Sequence, residues 1–137
     1  VGVTNNRNNG FDAECDVCIA PVCGPEVICG STRMKAGTAQ KMVLNMLTTC
    51  VMIRLGKVYG NRMVDAQVTN QKLLHRSVRM ICEITGAGED EARRRLEQAG
   101  GSVKLAVFCL LSGESPAQAQ WRLDEHHGVL KAALKHM

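Results

Sequence analysis

Residues 24–38 read GPEVICGSTRMKAGT, and the reading of this stretch decides the fold. A loop punctuated by Gly24 and Gly30 carries Glu26, Ser31, Thr32, Arg33 and Lys35 into a long helical pattern. A connecting loop alone does not need so many polar side chains at one place. Just before it, DVCIAPV at 16–22 is a continuous apolar run of strand length, and VGVTNN at 1–6 is a β-branched run that ends on asparagines. Two apolar strands, each leading into helical sequence, predict a parallel sheet covered on both faces, and hence an α/β class. In such sheets ligands bind beyond the C-terminal ends of the strands, which is where 23–32 falls.

The helix after this loop is expected to offer unpaired backbone N–H groups and a positive dipole end to an anion. Ser31 and Thr32 add hydroxyls, Gly24 and Gly30 let the backbone approach a ligand, and the Glu26 carboxylate can accept from ligand hydroxyls. Arg33 and Lys35 either pair with a phosphate or lie on the surface. Spacing alone also allows a plainer reading, in which Ser31 and Thr32 only cap the helix and Glu26 is solvated.

Working outward, the helical pattern runs over 34–55 with apolar residues on more than one face, so the helix is expected to be buried on most sides. Gly56 stops it, Tyr59-Gly60-Asn61 makes a turn, and a second helix, capped by Asn61, is expected to run to about Thr85. Gly86-Ala87-Gly88 ends that helix. Short helices follow at 89–98, 102–111, 116–124 and 127–136, with Ser102 and Ser115 as N-caps and Pro116 in the favoured first position. Leu96, Val103, Leu105, Val107, Leu110 and Leu111 are expected to face inward, and Trp121 to anchor the tail bundle. The domains implied are 1–85, a sheet-and-helix domain, and 86–137, a small helical one.

The 137 residues are 45% apolar, 22% charged and only 3% aromatic, with a net charge of +4. That is the composition of a globular chain whose core is aliphatic. The basic residues are scattered among acids along helices, which excludes a nucleic-acid footprint. Arg93-Arg94-Arg95 follow Glu89, Asp90 and Glu91 on one short helix, where dipole compensation accounts for them. The chain opens on Val1 without a charged-then-apolar leader, so neither a secretory signal nor a membrane span is expected. An abrupt start inside a buried strand points to a piece of something longer.

Seven cysteines, an odd number, fit free thiols in a reducing compartment. Cys15 and Cys18 form a CxxC with Cys23 and Cys29 nearby, but the spacing is not that of a two-knuckle zinc site, and thiols in an apolar run pack as small hydrophobes. No metal is expected. His126 and His127 are adjacent, do not share a helix face, and read as surface residues.

GPEVICGSTRMKAGTAQKMVLNMLTT at 24–49, continued by MIRLGKVYGNRMVDAQVTNQKL at 52–73, resembles the N-acetylmuramic acid 6-phosphate etherase family. GSVKLAVFCLLSG at 101–113 is similar to that family's C-terminal helical unit. The resemblance covers essentially the whole chain and matches only the C-terminal half of such an enzyme. It implies a sugar-isomerase (SIS) fold, a cytoplasmic homodimer without cofactor, and a carbon–oxygen lyase acting on a phosphorylated amino sugar. D-Lactate leaves the 3-position of N-acetylmuramic acid 6-phosphate, and N-acetylglucosamine 6-phosphate remains. By the resemblance, Glu26, Ser31 and Thr32 contact substrate, the principal catalytic glutamates lie upstream, and Lys72 in TNQKL stabilises enolate charge. From the sequence itself Lys72 is equally an ordinary exposed helix lysine. The chain alone is expected to be inactive, and marginal or self-associating through its long helices. Two rivals stand beside this reading. One is a non-catalytic sugar-phosphate sensor, as in the related glucokinase regulatory protein. The other treats 86–137 as a partner-binding module.

Overall fold

The computed structural model describes residues 1–8, 10 and 13–135. It is a mixed α/β chain, mostly helical, with two small sheets. Its contacts group into two compact units, Val1–Val51 and Met52–Met137.

In the first unit β1 (Gly2–Val3) and β2 (Cys18–Ile19) pair in parallel, Gly2 opposite Cys18 and Val3 opposite Ile19. The Gly2 N–H donates to the Val17 carbonyl at 2.8 Å, and that of Thr4 to Ile19 at 3.0 Å. The two predicted strands and their parallel sense are therefore present, at shorter length. Each has a single neighbour among the described residues, so the ladder ends where the two segments diverge.

Helix α1 (Lys35–Arg54) occupies nearly the predicted span, yet the expectation that it is buried on most sides is wrong for this chain. Val43 is its one buried residue, while Met42 and Met46 are 58% and 57% exposed. The helix is apolar nearly all round, and a two-stranded sheet has too little surface to cover it.

The second unit begins with the end of α1 and a hairpin, β3 (Val58–Tyr59) and β4 (Arg62–Met63), turned at Gly60-Asn61. The predicted turn is thus a hairpin turn, and Asn61 caps nothing. Helix α2 (Gln71–Thr85) starts ten residues later, capped by Asn70, whose Oδ1 accepts from the Leu73 N–H at 2.9 Å. Both Asn61 and Asn70 are competent caps. The hairpin decides between them, because it commits Arg62-Met63 to a strand and Val64 to the core.

Helices α3 (Glu89–Gln98), α4 (Val103–Ser112), α5 (Pro116–Glu125) and α6 (Leu130–Lys135) follow. Ser102 and Ser115 are N-caps as predicted, Ser115 through a full capping box with Gln118. Helix α4 is the axis of the bundle, packing against α2, α3, α5 and α6. Seven of its ten residues are buried, Phe108 completely. The pattern along α4 is apolar all round, and here its neighbours supply the burial.

Three expectations for the tail are corrected. Trp121 is 65% exposed, because α5 turns Ala119 and Leu123 to the core and position 121 lies on the opposite face. The last helix does not start at 127: His127 (φ 52) and Gly128 (φ 73) are both left-handed, with the Gly128 N–H on the Leu123 carbonyl and that of His127 on Asp124. This is a Schellman closure of α5, which delays α6 to Leu130. His136 lies outside the described residues. Leu111 is also turned outward, at the end of α4.

Candidate functional site

The loop 24–34 doubles back so that Glu26 meets the start of α1. Its Oε1 accepts from the N–H of Ala36 at 3.0 Å, and its Oε2 from that of Lys35 at 3.0 Å. The Lys35 ammonium reaches back to the Pro25 carbonyl at 2.8 Å. Next in line, the Gly37 N–H donates to the Thr32 carbonyl and that of Thr38 to Met34. The amides expected to await an anion are therefore already engaged, which corrects that part of the sequence reading. The cap also differs from the plainer alternative, since Glu26 performs it and the hydroxyls of Ser31 and Thr32 do not.

The backbone N–H groups of Lys35, first, and Ala36 hold the Glu26 carboxyl below the usual carboxylate range. It is an ionised acceptor pinned at a helix terminus, where negative charge is favoured. Two carboxylate oxygens offer about four lone-pair positions, so Oε2 can still accept from a ligand hydroxyl. Ser31 is half-buried and Thr32 exposed, on the turn closed by the Ser31 N–H to the Ile28 carbonyl at 3.1 Å. Gly24 (φ 71) and Gly30 (φ 83) provide the left-handed bends that this doubling back requires.

Lys72 belongs to the second unit. It is exposed on the first turn of α2, two residues after the Asn70 cap, and makes no ion pair among the described residues. The structure thus gathers Glu26, Ser31 and Thr32 on one loop, and sets Lys72 at the mouth of a helix in the other unit.

A further cluster in that unit was missed from the sequence. Asp65 receives Lys57 on Oδ2 and Lys104 on Oδ1, the latter at 3.4 Å. The Lys57 contact leads in holding the Asp65 carboxyl below its ordinary range, with Lys104 assisting and partial burial opposing. Lys104 is only 9% exposed, within the otherwise apolar α4. The signal was available: a lysine inside SVKLAVFCLL has no solvated face to occupy. Asp65, Gln67 and Thr69 line a cavity of about 500 Å³ together with Lys57 and Ser102. On the outer side of α2, Arg62 and Arg79 both bind Glu83, at 2.6 and 2.8 Å.

The described cysteines are thiols rather than disulfides, and no group of three or more His, Cys, Asp or Glu among the described residues is placed to hold a metal. Cys15 and Cys23 point their thiols at the carbonyls of Val17 and Pro21. No helix among the described residues is long and apolar enough to cross a membrane.

Residues 60–103 match the family described as the C-terminal lid domain of glucokinase regulatory protein. The N-acetylmuramic acid 6-phosphate etherase of Symbiobacterium thermophilum is 66% identical over 113 residues, 82% of this chain and 38% of that protein. The etherase of Clostridium beijerinckii is 49% identical over 135 residues, covering 98% of this chain and 44% of the relative. That of Yersinia pestis is 50% identical over 132 residues, 96% and 45% respectively. The chain spans well under half the length of these relatives. At such identity over nearly every residue, it belongs to the N-acetylmuramic acid 6-phosphate etherase family, in which it corresponds to a C-terminal part.

Proposed function

We propose that this chain is part of a carbon–oxygen lyase that removes D-lactate from N-acetylmuramic acid 6-phosphate. The observation that carries the reading is the 66% identity over 82% of the chain to a protein of that name. The chemistry is an elimination followed by hydration. A base takes the proton beside the open-chain aldehyde, giving an enolate. The 3-ether bond then breaks, the lactyl oxygen receives a proton, and water adds across the new double bond. The sum is sugar phosphate plus water giving lactate and N-acetylglucosamine 6-phosphate. The acid and base are carboxylates tuned for proton transfer, supplied by the part of the enzyme that precedes these residues.

Glu26, Ser31 and Thr32 contact the sugar. The Glu26 cap geometry favours a hydroxyl partner over the phosphate, because the α1 amides it holds are no longer available to an anion. Lys72 stabilises the enolate oxygen as it gains charge, in its own or a partner's site. The parent is a cytoplasmic homodimer of SIS fold, without cofactor or metal. In it 1–85 closes the sugar-binding domain and 86–137 forms the helical C-terminal domain, with α1 among the dimer helices. The exposed apolar surface of α1 is what such an assembly would cover.

A second reading has its own support: the lid-domain match at 60–103 relates the chain to a regulatory protein. On that reading the same pocket senses a sugar phosphate without turning it over. A lactate-release assay separates the two. The complete natural protein is expected to release lactate and the 137-residue chain alone none. No release by the complete protein, with the sugar phosphate still bound, would establish the sensor. Release by this chain alone would refute the upstream placement of the carboxylates.

A further inference from the structure

Lys104 is, with Ser77, one of the two buried polar or charged residues among those described, and its neighbours along α4 are apolar. Burying an ammonium is costly unless it is paired. Its pair is Asp65, on a segment with no regular structure: Val64–Thr69 links β4 to α2 along the edge of the 500 Å³ cavity. The cavity leaves one side of the segment without packing. Its fastenings are the buried Val64, whose N–H donates to the Lys57 carbonyl, the half-buried Val68, and the two lysines on Asp65.

What this segment delivers is the start of α2. The fully buried residues of α2, Ser77, Val78, Met80 and Ile81, begin at its second turn, where the helix packs on α3 and α4. The first turn, Gln71 to Leu74, is held by Leu74 against the core and by Asn70, which accepts the N–H groups of Leu73 and Leu74 and follows directly on the segment. Lys72 sits on that first turn.

We infer that Lys104 is a positioning residue: through Asp65 it fixes the 64–70 segment and thereby sets the place from which Lys72 acts. The inference rests on the proposed role of Lys72 and assigns that role a support in another helix. Lys104 touches no substrate on this account.

The test is a coupling cycle in the complete natural protein with Lys104→Met, Lys72→Ala and both together, alongside Lys104→Arg. Lys104→Met removes the buried charge while Asp65 keeps Lys57 as a partner, so the variant can fold. A misplaced catalytic group loses about 10- to 100-fold. Lys104→Met is therefore expected to lower kcat by about that factor with little change in KM, and Lys104→Arg to restore most of it. In the Lys72→Ala background the same change should have almost no further effect. Losses that multiply, or an unchanged kcat in Lys104→Met beside a depressed one in Lys72→Ala, would overturn the inference and leave the Lys72 reading intact. If Lys72→Ala itself is silent, or the complete protein releases no lactate, the Lys72 reading fails first. Hydrogen exchange on the 137-residue chain then decides the anchoring. Amides of Leu73 and Leu74 should exchange at least about 10-fold faster in Lys104→Met, with α4 amides unaltered. Equal exchange would refute the anchoring.

Discussion

Helices α1 and α4 are written in nearly the same language and meet opposite fates. Both are apolar around most of their circumference. Helix α4 has four helical neighbours and buries seven of its ten residues, whereas α1 buries Val43 alone in twenty. An all-round apolar pattern states a demand for partners and does not say where they come from. For α4 the partners lie within the next and previous thirty or so residues of this chain. For α1 the described residues do not provide them.

The sharpest way to break this contrast is truncation on each helix. Phe108→Ala, in a completely buried side chain, is expected to destabilise the second unit by about 3–5 kcal/mol. Leu44→Ala on α1, where the residue is 47% exposed, should stay within about 0.5 kcal/mol. Urea unfolding of the chain, followed separately for the two units, measures both. Equal losses would mean that α1 is covered in solution, for instance by a second copy.

A smaller effect separates two left-handed glycines beside the hairpin. A Cβ at Gly56 would lie 2.7 Å from the Gly128 carbonyl oxygen and 2.9 Å from Val129 Cα, both backbone atoms, whereas one at Gly60 would meet open space. Gly56→Ala is expected to cost about 2–4 kcal/mol, from the left-handed φ and the clash together. Gly60→Ala should cost only about 1–2 kcal/mol, from φ alone. Thermal unfolding of the two variants side by side tests whether the bundle closes on the backbone at Gly56.

A further effect is electrostatic. Asp65→Asn leaves the buried Lys104 without its counter-charge, which should cost about 2 kcal/mol, less than a fully buried pair because Asp65 is about a third exposed. Its acid dependence has a definite sign. The Asp65 carboxyl titrates lower in the folded chain than its ordinary 3.8, so its contribution is present above about pH 4 and lost as pH falls through the folded value. Glu83, depressed by Arg62 and Arg79, follows the same course. Acid unfolding of Asp65→Asn should therefore show a shallower loss below about pH 4 than the parent chain, with the Glu83 part retained. An identical slope would remove Asp65 from the account.

Legibility followed the range of the deciding interaction. The caps at Ser102 and Ser115 and the stops at Gly86 and Gly113 involve residues within four or five positions, and they stood in the sequence as they stand in the fold. The choice of Asn70 over Asn61 as the α2 cap did not, because a hairpin competes for the same residues. At the candidate site, Glu26, Ser31 and Thr32 could be picked out as polar residues converging on one loop. Which of them takes the α1 amides could not, since Glu26 reaches across nine residues of doubled-back chain. The Asp65–Lys104 pair spans two whole helices, α2 and α3. Only its odd member, a lysine in an apolar run, was visible beforehand.

By itself the sequence determined the helix-rich α/β class, the parallel sense of two short strands, most helix boundaries and the family. All of these follow from local patterns, or from identity that preserves local patterns. The tertiary structure alone decided that α4 is a core and α1 a surface, that Trp121 faces outward, and that Glu26 fills the helix terminus. It also decided that Lys104 is buried against a carboxylate thirty-nine positions away. Burial and pairing of this kind are set by which surfaces meet, and a linear pattern records what a surface requires without recording what it meets.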